Sequence, residues 1–277
     1  KINVNPPLYK IQSDSSFYGD SYNQLNQIKV IQLHEAGYSG ENVRILVLDS
    51  GFYLEHEVFD SLNIIAAYDF VDQDSVVSNE EEKDPPNQHN HGTSVLSVLA
   101  GFKAETLIGS AYGAEFLLGK TEDVSLEMPI EEDNYVIALE WGESLGADIL
   151  SSSIGYIDWY SQNDLDGSTA VITQAVNIAI ELGMVVVTAV GNSGTAGIVA
   201  PADAFNVISC GAVDDTGVIS TFSSRGPTAD GRTKPEVCAQ GNGTFSATAS
   251  SATSYGSGMG TSLAAPLISG ACALLLE

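Results

Sequence analysis

The sequence is poor in basic residues. Its 277 residues contain ten lysines and arginines against 36 aspartates and glutamates, which gives a formal net charge of −26. Binding to a nucleic-acid backbone requires basic patches, so we expect no nucleic-acid partner. Binding to an anionic membrane surface is disfavoured for the same reason. The excess of negative charge instead favours solubility.

Cysteine is also scarce, and long apolar runs are missing. Only Cys210, Cys238 and Cys272 are present, an odd number without metal-type spacing, and each lies in an apolar stretch. We therefore expect three buried free thiols. No apolar run approaches the roughly 20 residues of a membrane-spanning helix. Because the chain begins with Lys1 rather than methionine, we interpret it as a processed or trimmed product.

Short β-branched runs alternate with helical patterns along the chain. The run VRILVLDSG, residues 43–51, ends on polar residues. Similar runs recur at residues 115–121, 147–155, 184–194 and 206–213. Helical patterns occupy residues 133–146 and 168–183. This alternation predicts a three-layer α/β fold, a mostly parallel central sheet with helices on both faces. Functional sites form beyond the carboxyl ends of such strands, where Asp49 and Asn192 fall.

An acidic segment at residues 72–88 interrupts this rhythm. It contains six acidic residues and two prolines. One interpretation is a solvated loop, because runs of like charge are usually exposed. The other is a calcium site, because calcium binds several carboxylate oxygens. Both interpretations stay open.

Two candidate catalytic residues stand at the predicted starts of helices. His91 precedes a glycine and an apolar helical pattern, and Ser262 follows a glycine-rich stretch and opens another. Each also has a structural interpretation. His91 could be a packing residue, and Ser262 could cap the N-terminus of its helix. A serine hydroxyl becomes a nucleophile only beside a base that a carboxylate orients. His91 and Asp49 are the candidates for those two roles.

Four short motifs resemble the signature blocks of the subtilases, the subtilisin-like serine proteases. They are VLDSG at residues 47–51, HGTSV at 91–95, VGNSG at 190–194 and GTSLAAP at 260–266. Each block alone is weak, but four in the family's order, within connecting stretches that also match from about Ile28 onward, are specific. The resemblance implies the subtilisin-like fold and a peptidase activity.

The resemblance implies a role for one residue in each block. Asp49 would orient His91, which would act as general base and then as general acid, and Ser262 would be the nucleophile. Asn192 would donate its side-chain amide to the oxyanion, beside the backbone N–H of Ser262. No cofactor is required for this chemistry.

The resemblance also implies where a substrate binds. Ser153, Ile154 and Gly155 resemble the edge that pairs with the substrate backbone. Val199 would stand in the pocket for the residue before the cut, where a valine predicts a shallow pocket for small or medium apolar side chains. The other histidines fall at structural positions of the family or lack the motif context. They are His34, His56 and His89.

Two departures from the family pattern concern metal binding and domain length. Residues 102–104 supply no side-chain oxygens where many subtilases have an asparagine-rich calcium loop, which argues against that calcium site. A structural calcium ion elsewhere stays open. Residues 263–277 are all that follow Ser262, whereas relatives continue for several dozen residues. We therefore predict a polar surface arm at residues 1–27 and a peptidase domain at residues 28–277 that is truncated at its C-terminus.

These features together predict a serine endopeptidase that hydrolyses extended polypeptides through an acyl-enzyme. The resemblance implies a secreted or extracellular bacterial protein with an inhibitory prosegment as a further partner. The negative charge argues against nucleic acid and membranes as partners. The main alternative is a catalytically silent peptide-binding domain or fragment on the same fold. An esterase on an α/β-hydrolase fold would need its serine before its histidine in the chain, which excludes that class.

Overall fold

The computed structural model describes residues 15–277, in which helices and strands alternate as predicted. The helices are α1 (Ser15–Tyr18), α2 (Tyr22–Gln27), α3 (Val30–Ala36), α4 (Asn90–Ala100), α5 (Ile130–Ser144), α6 (Val171–Glu181) and α7 (Thr261–Leu276). The strands are β1 (Arg44–Asp49), β2 (Asn63–Asp69), β3 (Phe102–Lys103), β4 (Leu107–Ile108), β5 (Glu115–Lys120), β6 (Ile149–Ser152), β7 (Val185–Ala189), β8 (Ile208–Val213), β9 (Val237–Gln240), β10 (Asn242–Ala247) and β11 (Tyr255–Met259).

A seven-stranded sheet forms the centre, in the order β2-β5-β1-β6-β7-β8-β9. Every neighbouring pair in it is parallel. Asp49 at the end of β1 lies opposite Lys120 at the end of β5, and Asp69 at the end of β2 lies on the other side of Lys120. The carboxyl ends of these strands therefore meet at one edge of the sheet. The prediction of a parallel α/β fold is confirmed.

Helices cover both faces of the sheet, and β1 shows how the pleat divides the core. Leu46 and Leu48 point to a cluster that contains apolar residues of α5 and α6. Ile45 and Val47 point to the opposite face, where apolar residues of α4 and α7 pack. Alternate side chains of a strand face opposite sides, so a strand buried on both faces reads as a continuous apolar run.

Two helices begin at positions that differ from the sequence patterns. We expected a helix from Ser168, but α6 begins at Val171, because the carboxylate of Asp166 accepts the backbone N–H of Ser168 and Thr169 at 2.8 and 2.9 Å. Such a side-chain turn competes with the helical ladder. Helix α5 begins at Ile130, earlier than predicted, and acidic residues in its first turn suit the positive end of the helix dipole.

The N-terminal residues that are described pack onto the body of the protein. Tyr18 and Leu25 are completely buried in a cluster with residues of α7. The side chain of Gln24 donates to the carbonyl of Phe245 and accepts its N–H, at 3.1 and 2.8 Å. Residues 1–14 of the predicted arm lie outside the described residues. The division between arm and domain stays a prediction.

The three cysteines are free, but they are not all buried. Cys210 is buried, as expected, but Cys272 is only partly buried. Cys238 is exposed, which corrects the prediction, because it lies on β9, the edge strand of the sheet. Among residues 15–277, no helix is both long enough and apolar enough to cross a membrane.

Candidate active site

Asp49 and His91 are joined by a short hydrogen bond at the carboxyl edge of the sheet. Asp49 ends β1 and is completely buried, and its Oδ1 lies 2.7 Å from Nδ1 of His91 in the first turn of α4. A glycine follows His91 because a methyl group at Gly92 would lie 2.2 Å from the carbonyl oxygen of Gly51. The helix can therefore approach the end of the strand closely enough for this bond.

The surroundings of His91 favour its charged form. Burial lowers the pKa of His91, but the charge and hydrogen bond of Asp49 and the charge of Glu122 outweigh burial and raise the pKa to about 9. The ring is still 42% exposed, so a ligand can reach it. The bond at Nδ1 leaves Nε2 as the nitrogen available for proton transfer.

Ser262 and Asn192 face each other across Gly260. Ser262 lies in the first turn of α7, and Asn192 follows β7. Gly260 has a φ of +152°, and a methyl group there would lie 3.1 Å from Oγ of Ser262 and 3.9 Å from Nδ2 of Asn192. Oδ1 of Asn192 accepts the backbone N–H and the hydroxyl of Thr261 at 2.9 and 3.1 Å. The amide nitrogen of Asn192 therefore points away from Thr261, on the side of Gly260 and Ser262.

The packing of α4 against α7 brings His91 and Ser262 to the same region, because each lies in the first turn of one of these helices. Leu96 and Leu99 of α4 share a core cluster with Ala273 of α7. The hydroxyl of Ser153, directly after β6, donates to the carbonyl of Ser262 at 2.8 Å and ties the first turn of α7 to the sheet edge. No hydrogen bond joins His91 to Ser262 within residues 15–277. Catalytic hydrogen bonds often tighten only when substrate binds.

Among the residues predicted to bind substrate, Ser153 contacts Ser262, and Gly155 lies against Val199. Ser153, Ile154 and Gly155 follow β6, and the next residue, Tyr156, pairs with Ala200 through two backbone hydrogen bonds. A methyl group at Gly155 would lie 2.6 Å from Cγ2 of Val199. The Ala200–Pro201 peptide bond is cis. Val199 therefore packs against the segment that the sequence predicted as the substrate edge.

The other three histidines have structural environments. His34 lies within hydrogen-bond distance of the Tyr18 hydroxyl and the Ser110 carbonyl, and burial lowers its pKa to about 4. His56 accepts the N–H of Val58. His89 accepts the N–H of Asn79, and burial lowers its pKa as well. These contacts agree with the smaller weight that the sequence assigned to them.

Two lysine side chains pair with part of the acidic segment. Nζ of the buried Lys120 lies 2.8 Å from a carboxylate oxygen of Asp69 and 2.6 Å from one of Asp84. The exposed Lys83 pairs with Asp74 and Glu80. In the part of the chain that the structure describes, no group of three or more His, Cys, Asp or Glu side chains is placed to hold a metal ion. The structural calcium ion stays a prediction without an assigned site.

Sequence reasoning missed Gln88, which joins three backbone segments at the site. Its amide nitrogen donates to the carbonyl of Ser50 at 2.8 Å and to the carbonyl of Glu122, and its oxygen accepts the N–H of Val124 at 3.0 Å. Nothing in the local pattern marks this residue. Its bonds hold the end of β1 and the segment after β5 next to the start of α4.

The site thus combines a histidine on a buried carboxylate, a serine at the start of α7 and the amide of Asn192 after β7, which are the groups that a serine hydrolase uses. The model of the subtilase family matches residues 40–277. The chain therefore belongs to the subtilase family, a class of serine endopeptidases.

The relatives that the chain matches are bacterial subtilisins and related proteinases. Subtilisin DY of Bacillus licheniformis is 32% identical over 264 residues, which cover 90% of this chain and 82% of the relative. Subtilisin E of Bacillus subtilis (strain 168) is 31% identical over 91% of this chain and 60% of its own length. The thermophilic serine proteinase of Bacillus sp. (strain AK1) is 32% identical over 86% of this chain. The chain thus spans 53% of that proteinase's length.

Proposed function

We propose that the chain hydrolyses peptide bonds of extended polypeptides with Asp49, His91, Ser262 and Asn192 as its catalytic residues. His91 takes the proton of the Ser262 hydroxyl as the serine attacks the carbonyl carbon, and Asp49 stabilises the imidazolium that forms. The amide of Asn192 and the N–H of Ser262 bind the oxyanion. His91 then returns the proton to the leaving amine, and water hydrolyses the acyl-enzyme by the same steps in reverse order.

The hydrogen bond of 2.7 Å between Asp49 and His91 carries this proposal. A silent peptide-binding domain would have no need to keep a buried carboxylate on a partly exposed imidazole. The second support is Asn192, whose oxygen is occupied by Thr261 while its nitrogen faces Gly260 and the serine. An N–H group directed toward the serine can donate to an anion, whereas a reversed amide would present its oxygen there.

The proposal is tested by casein hydrolysis and by labelling with a serine-directed fluorophosphonate. The chain should be labelled once, at Ser262, and labelling should abolish hydrolysis. Ser262→Ala should remove both, whereas Ser257→Ala, at an exposed serine of β11, should keep both. A folded chain that binds casein but is neither labelled nor active would instead support the silent peptide-binding domain.

We extend the proposal to the protein's context. Secretion from a bacterium is supported by the Bacillus sources of the relatives and by the strongly acidic composition. The family pattern also supports an inhibitory prosegment and a peptidase domain at residues 28–277. It supports four residues as substrate contacts: Ser153, Ile154, Gly155 and Val199. The family match from residue 40 onward supports the domain assignment.

A further inference from the structure

The side chain of Gln88 is buried at the carboxyl edge of the sheet, just before the helix that carries His91. Only 1% of its surface is exposed. Both ends of the amide are used, because Nε2 donates to the carbonyls of Ser50 and Glu122 and Oε1 accepts the N–H of Val124. The amide therefore joins the entry of α4 to two backbone segments that are distant in the sequence.

The first of these segments orients the carboxylate of Asp49. Ser50 donates its backbone N–H to Oδ1 of Asp49 at 2.8 Å, and its hydroxyl lies 3.3 Å from the same oxygen. This is also the oxygen that bonds to His91. Within residues 15–277, Oδ2 of Asp49 has no hydrogen-bond partner. The direction of the carboxylate therefore depends on Ser50, whose carbonyl Gln88 holds.

The second segment lies against the main chain of Asp49. It follows β5, and the N–H of Thr121 donates to the carbonyl of Asp49 at 3.0 Å. The next residue, Glu122, offers its carbonyl to Gln88. One buried side chain therefore connects the end of β1, the segment after β5 and the start of the helix that carries His91.

Another hydrogen bond between α4 and the chain after β1 lies on the other side of His91. The hydroxyl of Thr93 accepts the N–H of Tyr53 at 2.8 Å. Tyr53 stands four positions beyond Asp49 in the chain, whereas Gln88 bonds to the residue directly after Asp49. Of these two contacts, the one made by Gln88 therefore acts more directly on the position of the carboxylate relative to the imidazole.

We infer that Gln88 is a positioning residue for the pair formed by Asp49 and His91. It acts through Ser50 rather than on the reacting atoms, and it keeps the carboxylate in line with the imidazole. This inference rests on the proposed peptidase function, in which His91 takes the proton of Ser262. A misplacement of about 1 Å can cost roughly 100-fold in rate, so the loss of Gln88 should affect turnover more than substrate binding.

The first test is Gln88→Met, which keeps the approximate length of the side chain and removes its hydrogen bonds. On a neutral peptide, kcat should fall roughly ten- to 100-fold while KM stays nearly unchanged. Gln174→Met is the matched control, because this glutamine is exposed on α6 and donates to the carbonyl of Thr169. Its kcat should equal that of the unaltered chain. An unchanged kcat in a Gln88→Met protein that is folded by circular dichroism would overturn the inference.

The titration of His91 supplies a readout that a purely structural role would not change. Burial lowers the pKa of His91, and the charge and hydrogen bond of Asp49 and the charge of Glu122 outweigh it. Gln88 holds the backbone beside Asp49 and at Glu122, so Gln88→Met should lower the pKa of His91, measured by NMR, and move the rise of kcat/KM to lower pH. Lost stability alone would lower the unfolding midpoint and leave both pH midpoints unchanged.

Val124→Pro tests the same contact without changing a buried side chain. Val124 is the second residue of the turn at residues 123–126, a position that suits proline, and the substitution removes the N–H that Oε1 of Gln88 accepts. Val124→Ala keeps this N–H and is the control. In Val124→Pro, kcat should be severalfold lower than in the control, and the pKa of His91 should also be lower. Equal values in the two variants would overturn the inference, whether or not Gln88→Met folds.

A failure of the peptidase function would be a separate result. It would show as an unaltered chain that cleaves no peptide. The pKa of His91 would then still decide the positioning role, because its NMR titration does not depend on activity. A lower pKa in Gln88→Met than in Gln174→Met would support that role, and equal pKa values would overturn it.

Discussion

Thr261 donates both its backbone N–H and its hydroxyl to the side-chain oxygen of Asn192, at 2.9 and 3.1 Å. An amide whose oxygen is held in this way presents its nitrogen on the other side, toward Gly260 and Ser262. The hydroxyl of Thr261 also lies 3.3 Å from the backbone nitrogen of Gly191. The residue before the proposed nucleophile therefore orients the proposed oxyanion donor.

Asn192→Ala should lower kcat much more than it raises KM, because the amide binds charge that develops only in the transition state. Removal of one such donor in a subtilisin lowers kcat roughly 100- to 1000-fold, and we expect a loss of that order. Thr261→Val, which keeps the backbone bond and removes the hydroxyl, should cause a smaller loss of kcat with KM nearly unchanged. Steady-state kinetics on one peptide checks both. An unchanged kcat in Asn192→Ala would remove Asn192 from the oxyanion site.

The pH dependence of activity should reflect the raised pKa of His91. A protonated imidazole cannot accept the serine proton, so kcat/KM should increase as pH rises through about 9 rather than through the usual histidine value. Asp49→Asn removes a charge that stabilises the imidazolium, so the rise should move to lower pH while the maximal rate falls roughly 10⁴-fold. A neutral peptide measured over the full pH range checks this. The same pH midpoint of kcat/KM in both proteins would contradict the assignment of this rise to His91 paired with Asp49.

The four proposed catalytic residues could be found from the sequence because each lies in a short motif at the end of a strand or the start of a helix. Gln88 and Lys120 could not be found in this way. Gln88 bonds to backbone groups 38 and 34 residues away, and Lys120 bonds to Asp84, which is 36 residues away. Contacts of this kind depend on the register of the sheet, which local patterns do not contain.

Glu122 is an intermediate case. It follows a parallel strand just as Asp49 and Asn192 do, so the rule that sites form beyond carboxyl ends of strands applied to it as well. What the sequence did not contain was the contact of the Glu122 carbonyl with the side chain of Gln88. In the acidic segment, the carboxylates suggested calcium, and the sequence could not show that Lys120 of β5 pairs with one of them, Asp84.

Lys120→Met should strongly destabilise the protein. It leaves Asp69 and Asp84 buried without their cation, and breaking a buried ion pair from one side costs about 3–5 kcal/mol. Lys83→Met is the matched control, and its effect should be small because the ion pairs of Lys83 are exposed. Urea unfolding compares the two variants. Equal unfolding midpoints would show that the ion pairs of Lys120 with Asp69 and Asp84 stabilise the protein no more than those of Lys83 do.

Calcium should distinguish the unaltered chain from the Lys120→Met variant. In the variant, the carboxylates of Asp69 and Asp84 lie together without a positive charge, which is the environment that a hard cation prefers. Added calcium should therefore raise the unfolding midpoint of Lys120→Met more than that of Lys83→Met, and a chelator should reverse the gain. An equal response of both variants would contradict the idea that the Lys120 ammonium stands where a metal ion could bind.

Val199 should limit the pocket for the residue before the cut. It stands between two glycines, because methyl groups at Gly155 and Gly191 would lie 2.6 and 3.0 Å from its two terminal carbons. The side chain therefore occupies space that a glycine would leave open, and the unaltered chain should cleave faster after alanine than after phenylalanine.

Smaller side chains at position 199 should deepen the pocket. The ratio of kcat/KM for phenylalanine over alanine should therefore rise roughly tenfold in Val199→Ala and further in Val199→Gly. Val218→Ala, at a valine that is 60% exposed, should leave the ratio unchanged. Fast cleavage after phenylalanine by the unaltered chain, or a ratio that does not respond to the series, would place this pocket elsewhere.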